Sequence, residues 1–274
     1  MATPPLRSPS RADRRPRRRL AGLRTLVTGG SSGVGRAVAL ACAAGGARVL
    51  ATARRAERLD DLVRIAPSIV TLAGDITEPE TRRRLLTAAS ERLGGLDVVV
   101  AAAGGGAIGP FRDAAPATLR GIMELDFFAP AELVREALPL LAAGRDPAVV
   151  FVGSILARHP LPLHAEYCAA KAALASLAQA LRAELAEGGI DVLLASLGPT
   201  ESEFWDHLAA GERPRWSAGR PLSAESTAAA IVAALVNRRA EVIPGWSARG
   251  YCLASRICPW LIDAVVSRRR RRSR

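Results

Sequence analysis

Seven short apolar runs, separated by stretches long enough for helices, constrain this chain more than any other feature. They lie at 23–28, 48–52, 69–73, 97–101, 148–152, 191–196 and 241–243, and the segments between them carry apolar residues at helical spacing. Strand, helix, strand repeated in this way predicts α/β architecture: a doubly wound, seven-stranded parallel sheet with helices on both faces. Runs such as VVVA at 98–101 are apolar without alternation, as strands covered on both sides are. With 274 residues, 49% of them apolar, the chain can fill one large core, and 21–244 contains neither a linker nor a repeat.

The net charge of +12 would suit a nucleic-acid binder, but its distribution argues otherwise. Residues 1–20 hold seven Arg and one Asp, 268–274 hold six Arg, and 21–267 balance to zero. The fold itself is neutral, so no specific nucleic-acid groove is expected. Residues 1–20 mix Pro, Ser and Arg without periodicity and read as a disordered basic arm. The four Cys show neither a CxxC pair nor metal-ligand spacing, which predicts reduced thiols in a cytoplasmic protein and no metal site. No apolar stretch follows Arg19, so no secretory signal is expected, and no 18-residue apolar run suggests a spanning helix.

The first apolar run ends in Gly29-Gly30-Ser31-Ser32-Gly33-Val34-Gly35, ahead of a helical stretch at 36–44. Glycine lets backbone N–H groups approach an anion, and the positive end of the following helix points at it. The turn reads as a phosphate-binding loop; a tight turn made for packing is the plainer reading. The second run ends in Ala53-Arg54-Arg55. An acidic residue there would hold a ribose 2′-OH and favour NAD, whereas Arg pairs with a 2′-phosphate and favours NADP. Arg54, with Arg55 second, is therefore the candidate 2′-phosphate ligand, against ordinary surface charge in an Arg-rich chain. Asp75, followed by Ile76, could meet adenine or cap a helix.

Ser154 closes the fifth run, and Tyr167 and Lys171 follow in EYCAAK. Residues four apart share one helix face. Carbonyl reduction needs a hydride donor and an acid for the forming alkoxide. A phenol is a poor base for the reverse step unless a cation lowers its pKa. Lys171 can supply that charge, and Ser154 a hydrogen bond to the substrate oxygen. Of 38 basic residues only Lys171 is Lys, so Lys survives where a compact ammonium has a use.

TGGSSGVG at 28–35, GDI at 74–76, AAAG at 101–104, Ser154 with YCAAK at 167–171, and LGPT at 197–200 together resemble the short-chain dehydrogenase/reductase (SDR) family over residues 21–244. The resemblance implies a Rossmann-type fold and NADP(H)-linked oxidoreduction, with NAD(H) less favoured. It implies Tyr167 as acid/base, Lys171 on the nicotinamide ribose, Ser154 on the carbonyl, Ala102 and Gly104 along the cofactor, and Pro199 and Thr200 beside the nicotinamide. It also implies a small-molecule carbonyl or alcohol substrate and a homo-oligomer. Departures are plain: the family's paired Asn before Ala-Gly are Ala101 and Ala102, and its relay Asn stands as Asp126. Asp126 has the shape of Asn with an added charge. A weakly catalytic NADP-binding regulatory or scaffold protein is the rival reading.

Residues 201–216, with Phe204, Trp205 and Trp216, resemble a variable substrate lid that would make the pocket apolar; core packing is the alternative. His159 and His164 fall near the expected substrate mouth. Residues 245–274 form an apolar segment with an Arg-rich tail. Its Trp, Tyr, Leu and Ile with scattered Arg suit a peripheral contact at the inner membrane surface, or packing on the domain or a partner subunit.

Overall fold

A computed structural model describes residues 15–204, 208–211 and 221–272. All seven expected strands form: β1 Arg24–Thr28, β2 Arg48–Ala53, β3 Val70–Ala73, β4 Val98–Ala101, β5 Ala148–Ser154, β6 Asp191–Leu197 and β7 Glu241–Val242. They build one parallel sheet in the order β3-β2-β1-β4-β5-β6-β7. The helices are α1 Gly33–Ala44, α2 Ala56–Ile65, α3 Pro79–Leu93, α4 Pro116–Met123, α5 Ala129–Ala142, α6 Ala165–Glu184, α7 Ala224–Val236, α8 Trp246–Ile257 and α9 Pro259–Arg272.

Strand side chains alternate between two cores. Val150 and Val152 of β5 face one side, with Val38 and Cys42 of α1, Leu62 of α2 and Ile231 of α7. Val149 and Phe151 face the other, with Leu85 of α3, Leu133 and Leu141 of α5, and Leu174 of α6. Every residue of β5 is buried, which explains its unbroken apolar run. Helix α1 starts at Gly33, three residues before the stretch at 36–44 expected from periodicity, because the glycine turn itself supplies its first residues.

The basic arm needs correction where it is described. Residues 15–20 lie against the domain, and Arg18 is buried. Its guanidinium donates to the carbonyls of Leu235 (2.8 Å), Asp146 (3.1 Å) and Pro147 (3.3 Å) and pairs with Asp191 at 2.7 Å. Composition shows an Arg-rich tail; only the fold supplies the acid and carbonyls that capture one Arg of it. Residues 1–14 lie outside the described residues.

Candidate active site

The sheet order reverses between β1 and β4, leaving the crevice at their carboxyl ends where α/β sheets bind ligands. Thr28, the last residue of β1, spans it: its hydroxyl accepts the amides of Ala102 and Ala103, each at 3.0 Å. Gly29 has φ +74°, and a Cβ there would stand 2.9 Å from the Ala103 nitrogen. A Cβ at Gly35 would collide with the Gly29 carbonyl. Both glycines are thus demanded by backbone approach. Ser32 precedes α1 without capping it, and no acidic residue occupies the first turn. Among the described residues no N-cap side chain claims the first N–H groups of α1, an arrangement suited to a dinucleotide phosphate.

Ser154, Tyr167, Lys171 and Asp126 come together beside it. Ser154 lies close enough to the Tyr167 hydroxyl to favour its ionised form, and its own Oγ accepts the Leu156 amide at 3.1 Å. Lys171, one helical turn along α6, is buried; its Nζ donates to the Val152 carbonyl (3.2 Å) and lies 3.8 Å from Asp126 Oδ1. Asp126 is fully buried and sits in a π-helical turn, Glu124–Phe128, inserted between α4 and α5. Such turns aim side chains that regular helix would place elsewhere. Its Oδ1 accepts the Gly105 amide at 2.8 Å, while Oδ2 is buried with no partner among the described residues. Gly104 lies directly over this pair, since a Cβ there would stand 2.8 Å from Asp126 Oδ1 and 3.3 Å from Lys171 Nζ.

Charge at the site differs from the expectation that Lys171 lowers the phenol. Burial raises the Tyr167 pKa, the Asp126 carboxylate raises it further, and Ser154 opposes them. The Lys171 ammonium stays 5.8 Å from the ring centroid and faces Asp126 instead. Burial likewise holds the Asp126 carboxyl above its usual range, with Lys171 and the Gly105 amide opposing.

A model of the short chain dehydrogenase family matches residues 24–213. The chain belongs to that family. A short chain dehydrogenase of Pseudocercospora fijiensis is 35% identical over 203 residues, 72% of this chain and 65% of that protein. A human hydroxysteroid 11-beta-dehydrogenase 1-like protein is 33% identical over 213 residues, 75% of this chain and 66% of its own. The match thus spans just under two thirds of these relatives' length. A crystal structure of a Burkholderia cenocepacia short chain dehydrogenase in complex with NADP superposes with a TM-score of 0.78 at 27% identity, covering 91% of this chain and 99% of that one.

In this member of the family the remaining candidates are placed unevenly. Arg54, just past β2, is exposed. Arg55 lies over the glycine turn, donating to Ser32 Oγ (2.9 Å) and Ser31 Oγ (3.3 Å) and pairing with Glu203 at 2.8 Å. Asp75 Oδ1 accepts the Thr77 amide and hydroxyl, a local turn rather than a helix cap, since Glu78 precedes α3. The Ile76 side chain is buried in the core, which leaves its backbone alone to face a ligand. Pro199 and Thr200 follow β6, where the Pro199 carbonyl accepts the Leu222 amide at 3.0 Å. Among the described residues no acid, His and Cys cluster could hold a metal.

Phe204 meets the Tyr167 ring edge-on, centroids 5.6 Å apart, and fills the space that a side chain at 106 would need. Phe204 thus neighbours the candidate site; Trp205 and Trp216 lie outside the described residues. His159 does not line the site. Its Nε2 pairs with Asp263 at 3.1 Å and its carbonyl accepts the Tyr251 hydroxyl at 2.8 Å, both on the C-terminal helices. His164 Nδ1 lies 2.9 Å from the Pro162 carbonyl, and burial lowers its pKa. Two contributors escaped the sequence reading. Thr28 was detectable as a polar residue ending a buried strand; Glu203 carried no signal, because its partners Arg55 and Arg58 are distant in the chain.

Proposed function

We propose that this protein is an NADP(H)-dependent oxidoreductase that interconverts an apolar ketone or aldehyde and the corresponding alcohol. The observation that carries the reading is the convergence of Ser154, Tyr167 and Lys171 beside an uncapped glycine turn at the sheet's switch point. Gly29–Gly35, Asp75–Ile76, Ala102–Gly104 and Pro199–Thr200 would hold NADP(H), which would supply the hydride. Ser154 positions the substrate oxygen, and Tyr167 donates its proton as the alkoxide forms and takes it back in oxidation. Lys171 anchors the nicotinamide ribose. Support comes from the NADP complex of the Burkholderia relative and the hydroxysteroid dehydrogenase name of the human one. Phe204 against Tyr167 suits an apolar substrate. Four free thiols agree with a cytoplasmic location, and a homo-oligomer belongs to the same reading.

The test is turnover of NADPH with a panel of apolar ketones, run beside thermal stabilisation by NADP and NAD. Stabilisation by NADP without turnover of any ketone would favour the scaffold reading, which the Asp126 charge beside Lys171 makes specific. Absence of both would overturn the cofactor assignment.

Two substitutions probe the parts. Asp126→Asn keeps an acceptor for the Gly105 amide and removes the anion that raises the phenol. Oxidation requires the deprotonated phenol and so rises with pH through the Tyr167 pKa. The rising limb of kcat/KM for alcohol oxidation is therefore expected to move to lower pH; an unmoved limb would remove Asp126 from the charge balance. Arg54→Ala is expected to weaken NADP binding by about ten- to hundredfold, the worth of a charge-assisted pair, with NAD binding little changed. Equal losses for both cofactors would move the 2′-phosphate role to Arg55 or elsewhere.

A further inference from the structure

Helix α8 packs one face on the domain and leaves the other uncovered, and α9 is largely exposed along its described side chains. On the inner face of α8, Ala248 and Cys252 are buried with Ile155, next to Ser154, and Tyr251 packs against them. Ala248 also sits against Gly198, where an added Cβ would come within 2.9 Å of its own. On the outer face Trp246, Leu253 and Ile257, spaced by seven and four residues, form one stripe. On the following helix, α9, Trp260, Leu261 and Val265 are exposed as well. Trp246 is 86% exposed, Ile257 67% and Trp260 69%. Of ten exposed large apolar residues among the described residues, six lie on these two helices. So concentrated a patch marks an interaction surface rather than ordinary scatter.

Charge selects the occupant. Residues 246–274 contain eight Arg and one acid, Asp263, which His159 engages. The Arg249 guanidinium lies 5.3 Å from the Trp246 ring centroid, so a cation flanks the apolar anchor directly. No helix among the described residues is long and apolar enough to cross a bilayer. A two-fold pairing with a second copy would set this Arg-dense face against itself. Nucleic acid would satisfy the Arg run while leaving Trp246, Leu253 and Ile257 in water. A bilayer surface rich in anionic lipid satisfies both features at once, apolar side chains entering the headgroup boundary and Arg meeting lipid phosphates.

We propose that the outer face of α8 and α9, with the Arg run at 268–272, docks this protein on an anionic membrane surface. The test is co-sedimentation of the full chain with vesicles of equimolar phosphatidylglycerol and phosphatidylcholine, against phosphatidylcholine alone, at low and high salt. The full chain is expected to pellet with the anionic vesicles, and less so as salt rises. The variant Trp246→Ser/Leu253→Ser/Ile257→Ser is expected to lose about tenfold or more in partitioning, from the apolar area it no longer buries. The substitution of Arg268 to Arg272 by Gln is expected to remove the salt dependence and the preference for phosphatidylglycerol. Circular dichroism on both variants reports whether they are folded; because the two act on different residues, misfolding of one leaves the other decisive.

No pelleting with anionic vesicles, or pelleting unchanged in both variants, would overturn the proposal. So would a dimer, detected by light scattering, that the triple Ser variant dissociates in the absence of lipid. Tight binding of a DNA duplex that the triple Ser variant retains, without vesicle binding, would assign the tail to nucleic acid instead. Vesicle binding and ketone turnover are separate measurements, so the failure of one leaves the other standing.

Discussion

Tyr167→Phe is expected to lower kcat by roughly 10²–10⁴-fold, the usual worth of a positioned general acid, while the dissociation constant for NADP(H) changes little. Phe retains the ring that meets Phe204 edge-on, so the wall of the site survives. What disappears is the hydroxyl beside Ser154, the proton source of the proposed reaction. Steady-state kinetics with a ketone identified in the panel, together with fluorescence titration of NADPH, separate the two effects. Turnover near the wild-type value would remove Tyr167 from the reaction.

Lys171→Ala is expected to abolish measurable turnover and also to destabilise the fold by about 3–5 kcal/mol, because it strands a buried carboxylate. Asp126 is fully buried, its Oδ2 is without a partner among the described residues, and Lys171 Nζ is the cation beside its Oδ1. The loss depends on pH with a definite sign. Burial holds the folded-state pKa of Asp126 above its unfolded value, and removing the ammonium raises it further. A raised carboxyl pKa means that stability is present below the unfolded value, near pH 4, and is lost as pH rises through the folded value. The variant's deficit in urea melts is therefore small in acid and grows toward neutral pH. Lys171→Ala/Asp126→Asn is expected to recover most of the stability and none of the activity. A deficit independent of pH would mean that Asp126 is not the group left stranded.

Much of this arrangement was legible in the residues because local physics dictates it. Burial on both faces requires unbroken apolar runs, so the seven strands stood out, β5 most clearly. Backbone approach at Gly29 and Gly35 tolerates no Cβ, so the glycine turn was visible with its helix. The four-residue spacing of Tyr167 and Lys171 placed both on one face of α6. The apolar C-terminal segment and its Arg-rich tail were readable, but not that they form two helices or which side of α8 would be covered.

Long-range placement decided the rest. Asp126 is buried because a π turn between α4 and α5 rotates it inward, and no composition or spacing encodes that rotation. Its carboxylate, set beside Lys171 only by the packing of α6 on that turn, raises the phenol that the ammonium alone would have lowered. Arg54 and Arg55 are neighbours in sequence, yet one is exposed and the other is drawn over the glycine turn by Ser31, Ser32 and Glu203. Arg18 left the basic arm because Asp191 and three carbonyls converge on it from distant strands and helices. Residue type and near-neighbour spacing set which segments become strands and which side chains can carry acid/base chemistry. The tertiary structure decided which charges meet, because electrostatic partners are chosen by proximity in space, which the chain acquires only when the sheet and helices close around them.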